Sequence, residues 1–354
     1  MRMSYWKCSI KRTLPLFITI SVIALIIPIV FAIGLSASIN TENTYIPNSN
    51  TYTFAMILFY LASAIAIMMP FNFHSKIWHK RSTDIYLSLP VNRNDIFFGD
   101  YLLGLAEAII PFLLAFSIGF FIIPLAAKGL WMNASLVFGS MGLTILGILI
   151  VYSLSFGISY FANNSLDAIL FLAFSSFVPV IFYSFFASAF SSFTKENVPF
   201  FFTLFQNIYP ESGIQNLISY LSNPTEATNT MYFEKWMSVL FSFVVALAFM
   251  VGAYFHFKGW KAEEAGKVST SIFGYYFWVE IAFFSVYEYI TLAFWYSQVP
   301  FYFIIFIVLA IVYVIILFIS KRKIAFASKD FIVWGAVYFS ATILGVILNA
   351  IKFS

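Results

Sequence analysis

The stretch "HSKIWHKRSTDIYLSLPVNRNDIFFGDYL", His74 to Leu102, is the longest polar interval in the first half of a chain that is otherwise mostly apolar. Long apolar runs flank it on both sides, so its reading decides the fold. The chain has 354 residues, of which 62% are hydrophobic, 21% aromatic and only 10% charged. Its mean hydropathy is +0.91. A soluble fold of this length cannot bury so much apolar surface, and the composition predicts an all-α protein whose solvent is largely lipid. No alternating ten-residue pattern recurs, which argues against a membrane β-barrel. The single cysteine, Cys8, excludes an internal disulfide or a cysteine metal site. A pI near 8.9 reflects loop charge that orients the chain, and no nucleic-acid partner is expected.

Uncharged runs near 14–35, 53–73, 101–126, 134–160, 167–193, 237–257, 274–296, 300–320 and 331–351 predict nine membrane helices. With the N-terminus inside, fifteen of the nineteen basic residues fall in cytoplasmic segments; only Lys128, Lys195, Lys235 and Lys352 fall outside. That asymmetry follows the positive-inside rule, and an odd number of spans places the C-terminus outside. The first apolar run is longer than a secretory h-region, so an uncleaved first helix is expected despite the small residues of "GLSASIN". Residues 1–13, "MRMSYWKCSIKRT", alternate bases with bulky apolar groups and predict a short amphipathic helix on the inner membrane surface.

The opening stretch is then the cytoplasmic loop between the second and third spans. "FANNSLD", between spans four and five, shows how few residues are needed merely to turn the chain. In the longer loop Ser82 and Thr83 are candidate N-caps, Ile85, Leu87 and Leu89 candidate contacts, and Pro90 a stop, describing a short helix across the membrane face. Exposing those apolar groups to water is unfavourable by roughly 25 cal/mol per Å², which points to a partner surface. Arg81, Asp84 and Arg93 are expected to fix its register at the rim. Asn94 is a plausible cap for the helix that follows.

The pattern of "RSTD", "LSLPVNR" and a glycine before the next span resembles the first cytoplasmic loop of ABC-2 type permeases, the membrane subunits of one class of ATP-driven exporters. That family usually has a basic residue where this chain has Asp100. The resemblance covers the first six spans, including the basic N-terminus and a long external segment between spans five and six. "KAEEAGK", Lys261 to Lys267, looks like a segment of the subgroup with additional C-terminal spans. The implied division is a six-span core over 14–257, a linker over 258–273 and three further spans over 274–354. The resemblance implies that loop 74–100 carries the coupling helix, Arg81 to Pro90, with Arg93 just beyond it, and that this helix sits in a groove of an ATP-binding subunit. Two such subunits, a second permease of the same or a homologous kind, and membrane lipid are the implied partners. The implied location is the plasma membrane of a bacterium.

No cofactor is expected in the chain itself; ATP and magnesium belong to the partner subunit. "GWKAEEAGKV" fails as a phosphate loop, with six residues between Gly259 and Gly266 and Val268 where a magnesium-binding hydroxyl belongs. No HExxH or G-x-S-x-G occurs, and His74, His79 and His256 all lie near the cytoplasmic boundary, so no metal centre or intrinsic enzyme is expected.

Three acids fall inside spans. Glu107, two turns into the third span, is expected to snorkel or meet an interfacial partner; Glu280 and Glu288 share a helix face that packs on a neighbour or lines water. The external segment 194–236 is too apolar in "PFFFTLFQNIY" for a solvated loop, and Pro210, Glu211 and Gly213 mark a break between two short re-entrant helices. In the resembled family such a hairpin caps the translocation path. The function expected is export of an amphipathic or hydrophobic substrate (peptide, lipid or drug-like) along a path lined by spans two and five. The alternatives are a carrier that needs no ATPase and uses Glu280 and Glu288, or a membrane sensor or immunity protein that binds an antimicrobial peptide.

Overall fold

A computed structural model describes residues 2–38, 46–79, 82–83, 91–127, 130–194, 208–223, 229–267, 269, 275, 277–294, 299–321 and 328–353. Ten α-helices occur among them: α1 (Arg2–Ser38), α2 (Asn48–Trp78), α3 (Arg93–Ala126), α4 (Ala134–Tyr160), α5 (Ser165–Thr194), α6 (Glu211–Ser222), α7 (Asn229–Gly259), α8 (Phe277–Phe294), α9 (Val299–Lys321) and α10 (Ser328–Phe353). No strand occurs among the described residues. Helices α1 to α5 and α7, six in all, are long and apolar enough to cross a membrane, and their number suggests a multi-pass membrane protein. The described apolar parts of α8, α9 and α10 are shorter.

Helix α1 shows why lipid is the solvent. Ile20, Ala24, Pro28, Ala32 and Leu35 form a buried stripe with a spacing of three to four residues, while Ile18, Val22, Ile26, Ile29 and Ile33 form an opposite stripe that is equally apolar and exposed. A helix that is apolar all round yet half exposed is unfavourable in water and matched to hydrocarbon. The expected separate surface helix over 1–13 is instead continuous with the first span. Pro15 does not end α1, because proline supplies no N–H but leaves the helix on both sides intact.

The contacts divide the chain into two compact units. The first holds 1–76, 81–160 and 209–260; the second holds 77–80, 161–208 and 261–354. The fifth span therefore groups with the C-terminal helices, whereas the expected boundary lay near residue 257. In the first unit α1 packs along α3, α4 along α7, and α6 rests on α4 and α7. In the second, α8 packs on α5, α9 and α10.

Two loop asparagines start helices by N-capping. Asn133 Oδ1 accepts from the amides of Ser135 (3.1 Å) and Leu136 (3.4 Å), and Asn164 Oδ1 accepts from Asp167 N at 2.9 Å. Before α3 the N-cap is Asn92, whose side chain makes no cap bond; the expected cap, Asn94, lies inside the helix and its Oδ1 accepts from Tyr254 Oη at 3.2 Å.

Gly157 sets the closest approach of α4 to α7: a Cβ there would lie 2.8 Å from the carbonyl carbon of Phe249 and 2.9 Å from its oxygen. Backbone cannot swing aside as a side chain can. Gly157→Ala is therefore expected to lower stability by about 1–3 kcal/mol, the usual cost of overpacking. Gly142→Ala, which meets nothing within 4 Å, is the control and should leave stability unchanged or raised. Melting temperatures of both variants in detergent check the pair; equal values would disprove the close approach.

Candidate functional site

The polar interval of the sequence is rooted inside the helices of the first unit. Lys76, in the last turn of α2, donates from Nζ to Asp100 Oδ1 at 2.7 Å and lies 2.6 Å from Oδ2; both side chains are almost wholly buried. Asp100 is thus the partner of a base on the neighbouring helix. Ser82 and Thr83 donate their hydroxyls to the Lys76 carbonyl at 2.8 and 3.2 Å, closing the end of α2. Arg93, expected at a solvent rim, turns Nη1 onto the carbonyls of Phe257 (3.2 Å), Lys258 (3.0 Å) and Trp260 (2.7 Å). Phe257 and Lys258 belong to the last turn of α7 and Trp260 follows it, a helix end where a cation is favoured.

More buried polar contacts line the same helices. Tyr101 Oη meets Ser153 Oγ at 2.8 Å, and Tyr152 Oη reaches the Asp100 carbonyl at 3.4 Å. Gly104 leaves the space that the Tyr152 hydroxyl occupies. His74 Nδ1 lies 2.5 Å from Ser159 Oγ, and its ring is packed against Phe156 and Tyr160. A serine beside a histidine resembles a nucleophile and its base, but here both are buried in aromatic packing, with exposures of 0% and 1%. Glu107 is buried rather than snorkelling, and accepts a hydrogen bond from Thr13 on α1. Arg12 lies close enough to bear on the same carboxylate electrostatically.

Of the expected coupling residues, Arg81, Asp84, Ile85, Leu87, Leu89 and Pro90 lie outside the described residues. Of the expected hairpin, 195–207 also lies outside them. Pro210 stands at the N-cap of α6, and Gly213 sits within its first turn rather than at a break. Gly213, Ile214, Leu217 and Ile218 form the buried stripe of this amphipathic helix, where a Cβ on Gly213 would meet Val239 Cγ2 at 3.0 Å. Further bonds tie α6 to α2: Tyr60 Oη to Gln215 Oε1 at 2.9 Å, and Asn48 Nδ2 to the Ser222 carbonyl at 3.1 Å. Partial burial pushes the Glu211 carboxyl up.

The second unit is organised by Asp167, which is fully buried. Its carboxylate accepts from Asn164 Nδ2 (2.7 Å), Ser269 N (2.8 Å) and Tyr275 Oη (2.6 Å). Gly266 N to the Asn163 carbonyl (2.8 Å) and Ser269 Oγ to that of Phe161 (2.5 Å) complete the attachment. "FANNSLD" therefore does more than turn the chain: it anchors the segment after α7. The Asn-x-x-Asp spacing, an N-cap with its reciprocal third residue, is the sequence signal that marks it.

In the same unit Glu280 Oε1 accepts from Tyr313 Oη at 2.9 Å, and Asp330, buried at the start of α10, lies within electrostatic range. Glu280 also lines a cavity of about 400 Å³ bounded by parts of α5, α8 and α10. The side chain of Glu288 lies outside the described residues. Among the described residues no three of His, Cys, Asp and Glu gather where a metal would be held.

Compared with known protein families, curated proteins and solved structures, the chain matches none.

If the buried ion pair clamps α2 to α3, Lys76→Met or Asp100→Leu alone removes one partner of that pair and should cost about 3–5 kcal/mol. Lys76→Met with Asp100→Leu should cost far less than the sum of the single changes. Melting temperatures of the four proteins in detergent form the cycle, and additive losses would refute the clamp.

Proposed function

We propose that the chain is the membrane subunit of an ATP-driven exporter, with loop 74–100 as the element on which a separate ATPase acts. The observation that carries this reading is the way the ends of that loop are fastened. Lys76–Asp100 joins α2 to α3, Ser82 and Thr83 close α2, and Arg93 joins the start of α3 to the end of α7. A push on residues between these fastenings is delivered to three helices together. A loop that served only to orient the chain needs no such root. The resemblance of "RSTD" and "LSLPVNR" to the coupling loop of ABC-2 type permeases supports the same role. In this reading nine helices span the membrane with the N-terminus inside, a second permease completes the path, and ATP with magnesium stays in the partner.

The cargo class follows from what an apolar path tolerates, namely an amphipathic or hydrophobic molecule. Pro210, Glu211 and Gly213 belong to the outer gate. Helix α6 suits that place because it is short, amphipathic and held by side chains to α2.

Orientation is tested by cysteine labelling after the exposed Cys8 is replaced by serine. Probes at positions 48 and 223 should react with an impermeant maleimide from outside, and one at 79 only after permeabilisation. Outside labelling at 79 overturns the topology.

Coupling is tested by Leu87→Ser with Leu89→Ser. The purified double variant, in nanodiscs with a candidate ATPase that co-purifies with the unaltered chain, should lose most of the coupled ATP turnover or release the ATPase while inserting normally. Equal binding and equal turnover would defeat the exporter reading.

A further inference from the structure

We infer that one face of α1 is the docking surface of an anionic phospholipid, whose headgroup is held by Lys7 and Lys11 and whose acyl chain lies along Leu14, Ile18 and Val22. These five positions follow one another at steps of three to four residues, so they share a face of the helix. All five side chains are exposed. The basic pair and the apolar stripe are thus consecutive parts of one surface. Because α1 runs unbroken through Pro15, the lysines are carried on the same rod as the span. They stand where its charged part gives way to its apolar part, which in a bilayer is the level of the lipid phosphates. From Lys11 to Val22 the helix rises about 16 Å, close to the roughly 15 Å that the chains of one leaflet cross.

Charge decides among the occupants. Neither lysine has an acidic partner among the described residues; Asp100 and Glu107, the acids of the adjoining α3, are already engaged by Lys76 and Thr13. Two ammonium groups one turn apart match a phosphodiester whose headgroup carries no cation of its own. Choline or ethanolamine would bring a positive charge against them. A second copy of the chain fits this face badly. Copies related by a two-fold axis along the membrane normal meet at equal depth, so Lys7 and Lys11 would face their own images with no acid between them. An acidic soluble peptide meets the lysines and leaves the aliphatic stripe unmatched. The direction of insertion does not enter, because both leaflets present phosphates, and the surface is the same whether or not the chain is an exporter subunit.

The test is native mass spectrometry of the full chain in a neutral maltoside detergent, titrated with dioleoylphosphatidylglycerol or with dioleoylphosphatidylcholine. The first glycerol lipid should bind about tenfold more tightly than the first choline lipid, and Lys7→Gln with Lys11→Gln should reduce that preference to about twofold or less. Lys7→Arg with Lys11→Arg keeps both charges and should keep the preference, which separates lost charge from a damaged helix. Lys258→Gln with Lys261→Gln removes two exposed bases elsewhere and should leave it intact, as the control for total charge. Glycerol 1-phosphate in large excess, the headgroup without chains, should not displace the lipid. Equal affinities of the two lipids, an unchanged preference in the Lys7 and Lys11 glutamine variant, or an equal loss in the control overturns the site. Displacement by glycerol 1-phosphate, or dimers in place of lipid adducts, overturns it as well.

Discussion

Taking a lysine and an aspartate out of water costs several kcal/mol for each ion, and their attraction offsets this only when they meet closely and stay met. Lys76 and Asp100 therefore do not tolerate separation, and the adjoining ends of α2 and α3 are fixed by that intolerance. The Tyr152 hydroxyl comes to the Asp100 carbonyl only because Gly104 makes room. Phe97, Phe156, Tyr160 and Phe257 pack as one ring cluster beside it. The Arg93 fork adds the end of α7 to the same assembly. Three helix ends thus share one immobile base, from which the rest of the polar interval departs.

The helices were readable because hydrocarbon imposes a simple rule: any run that crosses it must be long, apolar and helical. Residues such as Ile18 and Val22 announce themselves by composition alone. Partnerships between helices obey no comparable rule. Lys76 and Asp100 each look like ordinary loop charges, and only their positions at the ends of consecutive spans hint that they meet. Asn94 looked like a cap because caps are recognised by residue type, while the backbone at Asn92 decided where α3 begins. Gly213 looked like a breaker, but its missing side chain serves close packing on α7. Glu280 was visible as an acid in an apolar run; its hydroxyl partner, Tyr313, is one of many tyrosines and carried no signal.

The second unit makes a different use of a buried carboxylate. Asp167 has no cation among its hydrogen-bond donors here; it gathers a side-chain amide, a backbone N–H and a phenol instead. Dipoles aimed at one point stabilise a charge nearly as a counter-ion does, with stricter demands on geometry. That strictness fixes Ser269 and Tyr275 against the start of α5, where a salt bridge to a flexible lysine would allow several arrangements.

The unbroken α1 has a mechanical meaning of its own. Thirty-seven helical residues at 1.5 Å each make a rod of about 55 Å, well beyond a hydrocarbon core of roughly 30 Å. Pro15 and Pro28 each remove one backbone hydrogen bond, at the carbonyls of Lys11 and Ala24, so the rod is articulated at two points. Thr13, just before the first joint, is fastened to Glu107. Beyond that joint the buried stripe from Ile20 to Leu35 holds the rod against its neighbours, so a bilayer of different thickness is met by α1 and α3 tilting together and not by α1 alone.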